Sequence, residues 1–346
     1  MRSLSAVQTG GAARALYEGA MRRRTRYALM ILLALGCAWS GPPRRPILGA
    51  RADIFASPVL LDPLHPEKVK VGALTYLGGV DLSSRDGAFG GFSSMTVEGD
   101  RFTLLSDGGT IARFRLDGEF RLTEPQFGDL PAGPGTGWDK PDRDSESMTR
   151  DPATGQVWVG FERANQIWRY SPGLTLPAAS VAPRPMAGWS INGGAESMVR
   201  LHDGRFLVIA ETDRWVPYEA RHALLFARDP VERPLRGFIF GYLPPAGFDP
   251  SDAVELPDGR VLVLNRRIDL PFNWSAALTV IDPRTFRPNR AVRGREIARL
   301  APPLSVDNFE GLAITHESGA TILWMVSDDN QLVLQRTLLM KFRLDL

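Results

Sequence analysis

Ala195–Glu211 reads "AESMVRLHDGRFLVIAE". It holds an Asp-Gly pair, Asp203-Gly204, between two apolar segments, which is a strong local signal for a tight β-hairpin. A carboxylate stands near each end, Glu196 and Glu211. Four other stretches share the design: 93–107 (SSMTVEGDRFTLLSD), 146–162 (ESMTRDPATGQVWVGFE), 252–265 (DAVELPDGRVLVLN) and 310–328 (EGLAITHESGATILWMVSD). Their apolar markers Met95, Met148, Met198, Val254 and Leu312 are spaced by 53, 50, 56 and 58 residues.

A period of this length marks stacked supersecondary units, and all-β units of that size are propeller blades. Runs such as 206–209 (FLVI), 261–264 (VLVL) and 322–326 (ILWMV) have strand length and continuous apolar character, as strands buried on both faces do. Further strand-like segments follow, including 110–118, 165–173, 222–230 and 276–285. No convincing amphipathic helix appears beyond the N-terminal segment. The expected fold is an all-β propeller with five visible blades, or six if one is degenerate. The segment 69–79 reads as a lone strand that completes the last blade beside "LLMKFRLDL" at the C-terminus.

In a simple hairpin, residues equidistant from the turn face each other. That pairs Glu146 with Glu162, Glu196 with Glu211, Glu310 with Asp328, Ser93 with Asp107 and Asp252 with Asn265. Inner strands of all blades line one channel, so these positions converge at one mouth as a ring of carboxylates. Converging carboxylates need protons, basic side chains or a metal. With one cysteine and four scattered histidines, an oxygen-liking cation is favoured, and Ca²⁺ tolerates irregular geometry best. The expected ligands are Asp107, Glu146, Glu162, Glu196, Glu211, Asp252, Glu310 and Asp328. Glu146 and Glu196 are the expected general bases or ligands, with Arg163 and Arg266 steadying developing charge. Lys140, Asp142, Arg143 and Asp144 stand in the loop before Glu146, and Arg214 follows Asp213. The competing use of such carboxylates is to accept backbone N–H groups of the next blade, which locks blades together and does no chemistry.

The N-terminus has separate features. Residues 1–40 form an export-signal region: Arg22, Arg23, Arg24 and Arg26 precede an apolar run from Ala28 to Trp39, too short to span a bilayer comfortably. Met21 offers an alternative start. Cys37, the only cysteine, rules out an intrachain disulfide, and Leu35-Gly36-Cys37 is a poor version of a lipidation box. Residues 41–68 read as a linker and 69–346 as the propeller. Without residues 1–40, 35 basic and 38 acidic side chains remain, so no nucleic-acid partner is expected. The protein is expected to be a periplasmic or secreted monomer, at the membrane only if Cys37 carries lipid, acting on a small anionic or ester substrate. There is no G-x-S-x-G elbow, phosphate loop or Cys/His zinc spacing.

The segments "GGFSSM…LLSDGG", "DSESMTRD…FERANQIWRY", "GGAESM…AET" and "DNFEGLAI…SDDN" resemble the bacterial phytase-like family with esterase-like activity, over roughly residues 71–345. The resemblance implies a propeller related to calcium-dependent phytases, in which acidic side chains hold Ca²⁺ that binds substrate phosphate. Two other readings stay open at this stage. One is a non-catalytic binding module. The other is a lactonase-type propeller with a divalent ion held by Glu310, Asn265 and Asp328.

Overall fold

In the computed structural model, residues 44–215, 219–269 and 273–346 are described. The expected export signal, Met21 and Cys37 lie outside the described residues. Residues 45–346 form one compact unit. Its strands group into five sheets.

Blade 1 is Phe92–Glu98, Arg101–Ser106, Thr110–Leu116 and Leu122–Asp129. Blade 2 is Ser145–Arg150, Val157–Phe161, Gln166–Tyr170 and Pro177–Val181. Blade 3 is Ser197–Arg200, Phe206–Trp215, Ala220–Phe226 and Gly237–Leu243, extended by the parallel strand Ala291–Arg293. Blade 4 is Asp249–Glu255, Val261–Asp269, Asn273–Ile281 and Arg295–Leu300. Blade 5 begins with Asn308–Glu317, Ala320–Asp328 and Thr337–Leu344. Its fourth strand, Leu74–Ser83, comes from the other end of the chain. The first strand of each blade contacts that of the next, and the fifth contacts the first. The ring is closed with five blades, and the N-terminal strand closes it as the sequence implied.

The core lies between blades. Val208 packs toward blade 2 with Trp158 and Ile167, whereas its neighbours Leu207 and Ile209 pack toward blade 4 with Val261 and Val263. Leu262 and Leu264 face the other way, onto Leu312, Leu323 and Met325 of blade 5. Alternate side chains of one strand thus fill opposite interfaces, which explains the continuous apolar runs.

The segment read as a linker also lies on the propeller. Buried Arg45 forks onto Asp129 (Nη2–Oδ2 2.6 Å) and donates to the Gly108 carbonyl at 2.8 Å. Phe55–Pro58 pairs with Leu74–Ser83 as an outer strand.

One irregularity repeats. The inner strands begin with a bulge: Phe92 pairs with Ser106 and Ser94 with Leu105, leaving Ser93 unpaired, and Glu146, Ser251 and Glu310 are unpaired in the same way. In blade 3 the N–H groups of Glu196 and Glu211 share the Gly194 carbonyl. A bulge places two residues against one and re-aims the extra side chain.

Closure makes a direct prediction. Met340 is fully buried on the strand that receives Leu74–Ser83, opposite Gly79. Met340→Ala should lower stability by about 2–5 kcal/mol, read as a lower denaturant midpoint with an unchanged slope. A shallower slope would show instead that the ring had opened.

Candidate functional site

The bulge sets which residues are equivalent. The unpaired positions are Ser93, Glu146, Glu196, Ser251 and Glu310. Counting the same step along each second strand gives Asp107, Glu162, Glu211, Arg266 and Asp328. In four blades, then, the second strand delivers a carboxylate to the mouth, and in blade 4 it delivers a guanidinium.

Two expectations change. Asp252 and Asn265 each stand one residue off the ring. Asp252 accepts the Leu312 N–H of blade 5 at 2.6 Å and the Ala253 N–H at 2.7 Å, so it locks blades 4 and 5. Asn265 is wholly buried inside blade 4, accepting from Tyr242 Oη and donating to the Val263 and Ala277 carbonyls. The lactonase-type set therefore lacks its middle member. Cross-strand partners shift as well: Glu162 N donates to the Asp144 carbonyl, and Asp328 pairs with Asn308. Asp144 thus joins the site, and only the bulge, invisible to a symmetric count, hides it in the sequence.

Two groups of carboxylates come close. Oxygens of Asp144, Glu146 and Glu162 lie within 4.8 Å of one another, as do those of Glu162, Glu196 and Glu211. Glu162 belongs to both. Its carboxylate accepts the Gly194 N–H at 3.3 Å. A Cβ on Gly194 would stand 2.9 Å from Glu162 Cγ and 3.1 Å from Asn165 Oδ1, so only glycine permits this approach. Asn165 donates its amide to the Trp189 carbonyl, while its buried Oδ1 has no donor against it. Asp107 pairs with Lys140, and Asp144 with Arg163 at 2.7 Å. Arg266 binds Glu211 at 2.6 Å, Asn308 Oδ1 at 2.8 Å, and Glu310. Among the described residues, Glu146 and Glu196 have neither a hydrogen bond nor an ion pair from their side chains, and Glu196 is only 4% exposed.

Charge does not balance here. Among the described residues, eight carboxylates (Asp107, Asp144, Glu146, Glu162, Glu196, Glu211, Glu310, Asp328) face three cations, Lys140, Arg163 and Arg266. Burial, then the charge of Glu196 and Glu310, holds the Glu146 carboxyl well above its usual range. Burial, then Glu211, does the same to Glu196. Glu162, desolvated and beside Asp144, is pushed up to about 7. Glu310 also reaches about 7, because burial outweighs the opposing Arg266. Asp107, Asp144 and Asp328 rise too, each mainly through burial. The donor set is all oxygen, partly unpartnered and short of positive charge. It fits a hard divalent cation such as Ca²⁺, with Asp144, Glu146, Glu162, Glu196 and Glu211 as the residues that would hold it.

The far mouth is different. A cavity of about 580 Å³ opens there between Met95, Met148, Thr149, Arg200, His202 and His316, and it holds none of the ring carboxylates. No helix among the described residues is long and apolar enough to cross a membrane.

Fold and site together define a five-bladed propeller with an acidic, oxygen-lined channel mouth. The chain belongs to the Phytase-like family, described as "Esterase-like activity of phytase", whose profile matches residues 87–331. No curated protein matches the sequence. Among solved structures, Kuenenia stuttgartiensis hydrazine synthase is similar at 9% identity and a TM-score of 0.36. That match covers 70% of this chain and 57% of the other, too distant to bear on the site.

Two predictions follow from the geometry. Asp252→Ala should lower stability by about 1–3 kcal/mol, since it orphans a buried N–H, while leaving any calcium response of the melting temperature intact; loss of that response would return Asp252 to the ring. The raised carboxyls give the second. The folded-state values of Glu162 and Glu310 lie above the unfolded value near 4.5, so at these two groups the folded protein holds more protons between pH 4.5 and about 7. Their contribution is complete below pH 4.5 and is lost as pH rises through 7. Melting in EDTA should therefore shift downward across that window, and calcium should flatten the decline. A profile unaffected by calcium would contradict this.

Proposed function

We propose that the protein is an exported, calcium-dependent hydrolase of phosphate or other esters. The observation that carries the reading is the excess of buried carboxylate at one channel mouth, with Glu146 and Glu196 left without partners among the described residues. Membership of the Phytase-like family supports the reaction class. The basic, apolar pattern of residues 22–39 supports export.

Bound calcium would polarise a phosphoryl or carbonyl oxygen and acidify a coordinated water. The protein's own groups do the rest. Glu162 and Glu196 orient the ion-facing oxygens, fixed by the Gly194 contact and by burial. Glu146 sits beside Asp144 and Glu162, and burial raises its proton affinity, which suits it to accept a proton as a general base. Arg163, held by Asp144 yet 43% exposed, can reach an anionic oxygen arriving from solvent. Arg266 has its Nε, Nη1 and Nη2 all engaged by protein groups, which makes it a poor substrate clamp.

The test is hydrolysis of p-nitrophenyl phosphate and p-nitrophenyl carboxylate esters with calcium or with EDTA. Turnover should need calcium. Glu196→Gln should weaken calcium binding more than tenfold in calorimetric titration, or about 1.4 kcal/mol. Calcium-dependent stabilisation without turnover would make the protein a binding module instead, and equal calcium affinity in the variant would remove Glu196 from the site.

A further inference from the structure

We propose that Arg266 is a built-in cation that fills one seat of the carboxylate ring, confining bound calcium to the side formed by blades 2 and 3. The inference rests on the calcium reading above and goes on to assign where the ion does and does not sit.

Register carries the argument. Where the second strands of blades 1, 2, 3 and 5 present Asp107, Glu162, Glu211 and Asp328, the second strand of blade 4 presents Arg266. Its bulge residue is Ser251 and not an acid, with the hydroxyl turned to the Phe309 carbonyl at 3.1 Å. Blade 4 therefore adds one positive charge and no negative charge to the ring.

The guanidinium does what an ion would do there. It reaches from blade 4 to Glu211 of blade 3 and to Glu310 and Asn308 of blade 5. Nε and Nη2 both donate to Glu211 Oε1, while Glu310 receives Arg266 and the Asn308 amide on its own Oε1. A planar donor fork suits this bridging of carboxylates. Its charge stays fixed: burial opposes it, but Glu310, Glu211 and Glu196 more than compensate.

The other half of the ring has no such group. Among the described residues Glu146 and Glu196 lack partners, Glu196 is almost fully buried and within reach of Glu162 and Glu211, and Asn165 Oδ1 is orphaned beside Glu162. Arg163 makes its ion pair with the outer member, Asp144. A cation is already present on one side and wanting on the other.

The test counts ions. Calcium bound per chain is measured by elemental analysis and calorimetry for wild type, Arg266→Gln, Arg266→Lys, and Arg266→Gln combined with Glu310→Gln. Arg266→Gln should bind one more calcium than wild type, and its melting temperature should drop in EDTA and recover in calcium. Arg266→Lys keeps the charge, and the double variant removes a carboxylate with it; both should keep the wild-type number. An unchanged count in Arg266→Gln, or failure of that variant to fold even at saturating calcium, overturns the proposal. Should wild type bind none while Arg266→Gln binds one, the calcium reading of blades 2 and 3 falls and the seat assigned to Arg266 stands. Neither protein binding calcium would sink both.

Discussion

A strand packed on both faces has no place for a charge except at its ends. The inner part of the second strand of blade 3 obeys this constraint: Leu207 and Ile209 fill one interface and Val208 the other, and Phe206–Ala210 are all buried. Charged residues are pushed to where the sheets stop. Because the blades are arranged around one channel, five such ends meet. The acidic mouth thus follows from the packing of the apolar strands, and its chemistry is concentrated by the same burial that stabilises the ring. Desolvation is the leading cause of the raised proton affinity of Glu146, Glu196, Glu310 and Asp328 alike.

Much of this was legible from residues alone. The period of the glycine-turn hairpins, the continuous apolar runs and the stray strand before the first repeat point to a propeller of five or six blades closed by its N-terminal strand, and the chain folds with five. What eluded the sequence was one residue per blade. A symmetric count around each turn assumes an unbroken ladder, whereas a bulge inserts an extra residue near the mouth. In blade 4 that error exchanged Ser251 and Arg266 for Asp252 and Asn265. Acidic Asp252 looked like its counterparts, yet its carboxylate is spent on the Leu312 amide. Asp144 was missed for the same reason. Nothing in its own neighbourhood distinguishes it from the other charges of the 138–148 loop, and it becomes a site residue only because Glu162 pairs back to it.

The two uses of a buried carboxylate coexist here within a few residues. Ser93, Ser147 and Asp252 make contacts from one blade to the next through carbonyls or amides of the neighbour. Such contacts satisfy polar groups that could not otherwise be buried. Among the described residues, the side chains of Glu146 and Glu196 make none. The distinction between a lock and a ligand is therefore one of partnership and not of residue type. A donor from the adjacent blade separates Asp252 from Glu146 and Glu196, whereas Glu162 accepts such a donor, the Gly194 N–H, and still faces the other carboxylates.

The closing strand adds an order in time. Leu339 pairs with Val80 across about 260 residues of chain, among the least local contacts in the molecule, and such contacts form late because loop-closure entropy opposes them. Blades 1 to 4 complete themselves from their own consecutive strands, but blade 5 waits for both ends. Asp328 and Glu310 belong to that last blade, so the mouth gains its full complement of charge only when the circle shuts. A nascent chain would carry these acids dispersed and well hydrated. Repulsion between them is postponed to the final step, when packing of the closing strand can offset it.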